Sequence, residues 1–167
     1  MHPTFHIAGT SIGGYMLMLI IACVVCAFAG RRLADRFDIS RRVFLLALVA
    51  AVLVGYFTAA AQSIVFELGV ARWLQGGKPG LAIHGGIVGG VLAIAAIARL
   101  SKVGVRQLLD LMACVLPLGM AIARWGCLFH GCCWGKPTLF PIALIFPSFD
   151  GAARPVGVPL HATQLYL

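Results

Sequence analysis

The sequence predicts an all-α integral membrane protein with about four transmembrane helices in its 167 residues. Two facts of composition and one pattern predict it. Hydrophobic residues make up 61% of the chain and charged residues only 11%, against about 25% charged in soluble domains. The apolar residues fall in four long runs, and the basic residues gather at the ends of those runs. A net charge of +8 on an ordinary soluble chain would suggest nucleic acid as a partner. That partner is excluded here, because charge at the ends of apolar runs is the topology signal of a membrane protein. Met1 to Thr10 carries no lysine or arginine ahead of the first run, so it does not read as a cleaved signal peptide.

The expected spans are 12–30, 43–66, 80–98 and 108–129. A helix needs about 20 apolar residues to cross about 30 Å of hydrocarbon, so the first and third are near the lower limit. Gly13-Gly14 and Gly85-Gly86 stand at one end of each, which allows an interfacial or re-entrant start. Gly86, Gly89 and Gly90 give the third span a small face of the kind that packs closely on another helix. Pro117 is expected to kink the fourth span, with neighbours satisfying the freed carbonyl. The segment 130–160 has no run long enough to cross and carries Pro137, Pro141, Pro147, Pro155 and Pro159, so an irregular external segment with short strands is expected. Residues 1–167 read as a single membrane domain. The last residues, Gln164-Leu165-Tyr166-Leu167, look like the opening of another apolar segment, so a piece of a longer protein is expected.

The charges orient the spans. Arg31, Arg32, Arg36, Arg41 and Arg42 lie in the first connection, and Arg99, Lys102 and Arg106 in the third. Arg72, Lys78, Lys136 and Arg154 lie on the other side, and Arg124 is left inside a span. The positive-inside rule then places the N-terminus outside and the connection from Arg31 to Arg42 in the cytoplasm.

Polar groups at membrane depth are costly and mark candidate sites. His84, in Ala-Ile-His-Gly-Gly, is either an interfacial histidine bonded to a neighbour or a general base or donor to an anionic head group. Gly85 and Gly86 beside it favour the second reading, because they let a substrate or backbone approach closely. Arg124 is either a snorkelling arginine or a forked donor for a phosphate. Cys127, His130, Cys132 and Cys133 form C-x-x-H-x-C-C. Cysteine and histidine are zinc ligands, but this spacing matches no common zinc module. Adjacent cysteines also point apart in a helix or a strand, so no metal is expected. A disulfide on an oxidising outer face stays open. Cys23, Cys26 and Cys114 read as packing residues. Tyr15 opens the first span as an interfacial anchor. His161, Gln164 and Tyr166 are anchors or a site wall. On the expected topology all these groups fall near the outer face, and their shared depth suggests one site there.

These residues carry a resemblance. Gly14-Tyr15, Ile83-His84-Gly85-Gly86-Ile87-Val88-Gly89, Asp110, Leu118-Gly119, Arg124-Trp125-Gly126, Trp134-Gly135-Lys136-Pro137-Thr138 and His161-Ala162-Thr163-Gln164-Leu165-Tyr166 resemble the prolipoprotein diacylglyceryl transferases of bacteria, along the whole chain. The resemblance implies a multi-pass enzyme of the bacterial cytoplasmic (inner) membrane, with seven helices when complete. Such an enzyme moves the diacylglyceryl group of phosphatidylglycerol to the lipobox cysteine of a preprolipoprotein signal peptide. The implied partners are therefore phosphatidylglycerol, the signal peptide and membrane lipid, and no cofactor is implied. By position, the resemblance makes Arg124 the holder of the lipid phosphate and His84 a catalytic group serving thiol or phosphate. Tyr15, Gly85, Gly86, His130, His161, Gln164 and Tyr166 become substrate-binding, and Gly135 lets the external segment approach the site.

The chain departs from the family pattern. The signature Gly-Arg-x-Gly-Asn-Phe-x-Asn-x-Glu-x-x-Gly stands here as Ala123-Arg124-Trp125-Gly126-Cys127-Leu128-Phe129-His130-Gly131-Cys132-Cys133-Trp134-Gly135. Both asparagines and the glutamate are replaced. The usual proline after the last histidine is Ala162, the usual final glutamate is Leu167, and Ala60-Ala61-Gln62-Ser63 stands where an arginine is usual. Two alternatives therefore accompany the transferase reading. One is a paralogous phospholipid-modifying transferase with another acceptor. The other is a non-catalytic membrane protein that binds lipid or metal.

Overall fold

The computed structural model describes residues 4–7, 10–76, 80, 82–145 and 157–166. Lys78, Arg154 and Leu167, used above, lie outside the described residues. The elements run in this order: strands β1 (Thr4–Ile7) and β2 (Thr10–Gly13), helix α1 (Gly14–Ala34), a 3-10 turn (Asp35–Phe37) and α2 (Arg41–Ser63). A π-helical turn (Ile64–Leu68), α3 (Val70–Leu74), α4 (Ile83–Leu100) and α5 (Val105–His130) follow. Strands β3 (Ala143–Ile145) and β4 (Pro159–His161) and the short helix α6 (Thr163–Tyr166) complete the order. The two strand pairs are separate antiparallel ladders, β1 with β2 and β3 with β4.

Among the described residues four helical segments are long and apolar enough to cross a membrane: Gly14–Phe37, Arg41–Phe66, Ile83–Leu100 and Val105–His130. Their apolar windows are only 11–22% buried within the protein. Side chains such as Val24, Phe28, Leu53, Phe57, Val88 and Leu92 face outward. Water would penalise that surface and lipid does not, so this is an integral membrane protein. The second, third and fourth segments lie within three residues of the expected bounds, and the first runs on to Phe37, seven residues past its expected end. The first begins at Gly14, because Ile12 and Gly13 belong to β2. The third is helical from Ile83, so Gly85 and Gly86 sit in its first turn and not in a re-entrant loop. The fourth continues through Pro117.

The chain divides into two compact units. One is Ala27–Val115, built on the pairing of α2 with α4. Its core is Ala34, Ile39, Phe44, Ala47, Ile94, Ala98, Leu108, Leu111, Met112 and Val115. The α2–α4 seam is tight at Gly55, Gly85 and Gly89. A Cβ on Gly55 would come 3.0 Å from the Gly86 carbonyl oxygen, and one on Gly85 would come 2.6 Å from that of Thr58. A Cβ on Gly89 would overlap the Thr58 side chain. The Thr58 hydroxyl donates to the Gly85 carbonyl at 2.7 Å and lies 2.8 Å from the Val54 carbonyl of its own helix. In lipid, helices attract each other by close contact and such hydrogen bonds, so the glycines expected to form a small face are the surface that pairs α4 with α2. At the other end of this unit, Phe44 is fully buried over Gly30.

The same device ends three helical segments. Asp38, Lys102 and Gly131 each adopt a left-handed backbone, with φ of 51°, 57° and 61°. Each is followed by a residue whose N–H reaches back five positions: Ile39 to Ala34, Val103 to Ala98, and Cys132 to Cys127. This is the Schellman pattern, which satisfies end carbonyls and brings the side chains five apart into contact. In the first two pairs that contact is apolar. In the third it joins two thiols.

The other unit is Met1–Cys26 with Leu116–Leu167. Its helices are the first part of α1 and the second half of α5. Gly126 makes their contact, since a Cβ there would come 3.1 Å from the Met18 Cβ and 3.2 Å from the Tyr15 ring. Cys26 does the same lower down, with its sulfur 2.7 Å from where a Gly119 Cβ would stand.

Candidate functional site

Tyr15, Arg124, His130, Gly135, His161, Gln164 and Tyr166 all belong to the unit of Met1–Cys26 and Leu116–Leu167, whereas His84, Gly85 and Gly86 belong to Ala27–Val115. Tyr15 is the second residue of α1 and half-buried, and its ring centroid lies 5.7 Å from that of His130, the last residue of α5. Arg124 stands on the same helix, three residues before Cys127 and therefore beside it on one face. It is half-buried, and among the described residues no hydrogen bond or ion pair engages its guanidinium. A half-buried charge that no described group hydrogen-bonds is costly, and five fixed donors suit a phosphate.

The segment after α5 folds back on itself through main-chain bonds. The Gly135 N–H donates to the His161 carbonyl at 3.0 Å, the His161 N–H to the Lys136 carbonyl at 3.1 Å, and the Thr138 N–H to the Pro159 carbonyl at 2.9 Å. A Cβ on Gly135 would sit 2.7 Å from the Cβ of His161, so only glycine permits this pairing. The close approach at Gly135 is thus made by the chain's own last strand. The His161 ring stacks 6.4 Å from Phe140 and meets Tyr166 edge-on at 6.2 Å. Gln164 is 3% exposed, and its amide donates to the Cys132 carbonyl at 2.7 Å. The Thr163 hydroxyl donates to the Cys133 carbonyl. These residues wall the region and hold the turn after α5 in place. Gln164 Oε1 is buried without a partner among the described residues.

His84 is the second residue of α4 and exposed. Helix α2, through Thr58, Gly55 and Ala59, is what approaches Gly85 and Gly86. The sequence analysis missed Thr58 and gave Thr163 no role beyond its place in a motif. Thr58 left a signal there, a hydroxyl in the middle of an apolar run. Thr163 left none, because its partner lies 30 residues away.

The cysteines require a correction. Cys132 and Cys133 do not point apart: their sulfurs are 3.8 Å apart, and those of Cys127, Cys132 and Cys133 all lie within 4.8 Å of one another. The expectation assumed a helix or a strand, and the backbone is neither. Cys133 is left-handed, with φ of 59°, which swings its side chain back toward Cys132. Burial, then the neighbouring Cys127 and Cys133, push the Cys132 thiol up to about 12. At neutral pH it is a thiol, not a thiolate nucleophile. All six cysteines are free.

Four long apolar helices with lipid-facing side chains among the described residues define a multi-pass membrane protein. Family comparison narrows the class. The model of the family described as prolipoprotein diacylglyceryl transferase matches residues 3–167, and the chain belongs to that family. Among curated relatives it is 44% identical over 87 residues to phosphatidylglycerol–prolipoprotein diacylglyceryl transferase 2 of Clostridium perfringens, covering 52% of this chain and 33% of the relative. It is 45% identical over 93 residues to the phosphatidylglycerol–prolipoprotein diacylglyceryl transferase of Acaryochloris marina, covering 53% and 33%. It is 36% identical over 107 residues to that of Pseudomonas fluorescens, covering 64% and 36%. The chain thus spans about a third of the length of these relatives.

Proposed function

We propose that the chain is part of an enzyme of the bacterial cytoplasmic membrane that carries out diacylglyceryl transfer in lipoprotein biogenesis. The donor is phosphatidylglycerol and the acceptor is the lipobox cysteine thiol of a preprolipoprotein. The acceptor sulfur forms a bond to the lipid's glycerol carbon, the carbon–oxygen bond to phosphate breaks, and glycerol phosphate leaves with the electron pair. Negative charge grows on that phosphate as the bond breaks, so a fixed guanidinium stabilises the transition state more than the ground state. The observation that carries this reading is Arg124, half-buried in the last two turns of α5, whose guanidinium no hydrogen bond or ion pair engages among the described residues. His84 is proposed as the base that accepts the acceptor's proton, since a free thiol with a pKa of about 8.5 is mostly protonated at neutral pH. The test is transfer of radiolabelled diacylglyceryl from phosphatidylglycerol to a lipobox peptide by the full-length protein. Label that stays in phospholipid, with the protein folded, refutes the reading.

The proposed orientation rests on eight basic residues in the first and third connections against four in the second connection and the segment after α5, with Arg124 inside a span. In intact cells, Asp38→Cys in a cysteine-free background is expected to resist a membrane-impermeant maleimide and to react once the membrane is opened. Labelling at position 38 from outside reverses the topology.

A further inference from the structure

Cys127, Cys132 and Cys133 gather three sulfurs at the end of α5 for reasons the backbone makes plain. The Schellman turn around Gly131 brings positions five apart together, so Cys127 meets Cys132. The left-handed Cys133 then returns the third sulfur to the second. A non-glycine residue with positive φ is uncommon, and simple packing does not call for one here, because Cys133 is exposed. The carbonyls of Cys132 and Cys133 are pinned by Gln164 and Thr163, which holds both side chains in place from behind, as outer groups do around metal ligands.

We propose that Cys127, Cys132 and Cys133 form a site for one soft d10 metal cation, each thiol releasing its proton to solvent as the metal binds. A cation about 2.3 Å from each sulfur holds sulfurs roughly 3.8–4.0 Å apart. The Cys132–Cys133 separation is already 3.8 Å, and no pair exceeds 4.8 Å, so the widest pair needs to close by about 1 Å at most. The ligand atoms are all sulfur: among the described residues no carboxylate or imidazole joins the group. Such a set selects thiophilic ions such as zinc, cadmium or cuprous copper over magnesium, calcium or manganese. Three sulfurs complete a trigonal ion, or leave one position open on a tetrahedral one. A Cys132–Cys133 disulfide is disfavoured, because adjacent Cα atoms stand about 3.8 Å apart and disulfides usually span more than 4.4 Å.

The test is cadmium(II) titration of the full chain, purified reduced in detergent and followed by sulfur-to-cadmium charge-transfer absorption. The band is expected to saturate at one cadmium per chain and to persist when Cys23, Cys26 and Cys114 are all changed to Ser. It is expected to shrink, with weaker binding, in Cys133→Ser and in Cys132→Ser. Cys133 is exposed and outside the helix, so its loss does not unfold the protein, and the helical circular dichroism of both variants confirms this. A protein with six titratable thiols and no band overturns the proposal, as does a band indifferent to Cys132→Ser and Cys133→Ser. A Cys127–Cys132 or Cys132–Cys133 disulfide in alkylation-quenched membranes overturns it as well.

Discussion

Arg124→Lys is expected to lower diacylglyceryl transfer by the full-length protein roughly ten- to a hundredfold while leaving its folding unchanged. Lysine keeps the positive charge but offers one point donor in place of a planar fork. Losing one charge-assisted hydrogen bond to a phosphate is worth about 1.5–3 kcal/mol, which corresponds to that range of rate. Because charge on the leaving phosphate grows along the reaction, the loss should appear in kcat as well as in KM. Arg124→Ala should cost more, since it removes the charge too. The measurement is initial rate against lipid concentration in mixed micelles. Near-normal kcat in Arg124→Lys removes the residue from the site and leaves the half-buried guanidinium to be explained by snorkelling alone.

The second large effect is on the fold. Gly89→Ala puts a methyl group where the Thr58 side chain already stands, and neither helix backbone can move away without breaking the bond from Thr58 to the Gly85 carbonyl. Overpacking of this kind costs about 1–3 kcal/mol, so the detergent-solubilised protein should unfold at a clearly lower temperature. Thr58→Ala in the same chain should recover part of the loss, because it removes the clashing hydroxyl and methyl. The double-mutant cycle should therefore show favourable coupling. An unchanged melting profile for Gly89→Ala means the seam is looser than described.

The spans were legible because hydrocarbon thickness sets a length that hydropathy reports directly. The small face of α4 was legible too, since Gly86, Gly89 and Gly90 share it by helical spacing. Its partner was not: in lipid every apolar helix surface is acceptable, and only the hydroxyl of Thr58 marks α2 as the neighbour. Within the candidate site, Arg124 was visible as a charge inside a span. The thiol cluster was hidden because it depends on the backbone sign at Cys133, a non-glycine residue with φ of 59°, and local sequence gave no reason to abandon a helix or strand there. The bracing of that turn by Thr163 and Gln164 was equally hidden, since residues 30 and 32 positions apart carry no shared periodicity.

The unit that holds Arg124 is discontinuous in the chain, and that has a consequence for synthesis. The segment up to Cys26 has its partner in Leu116–Leu167, with the 89 residues of Ala27–Val115 between them. A ribosome working at about 5–20 residues per second needs roughly 4–18 s to make that interval. During this time the face of α1 that carries Tyr15, Met18 and Cys26 is in the bilayer without the helix it later touches. The α2–α4 pair closes first, because both its members are made within the interval. Within residues 1–167, the contacts between α1 and the second half of α5 therefore form after the α2–α4 pair, and a ribosome stalled before Gly126 leaves that pair inserted without them.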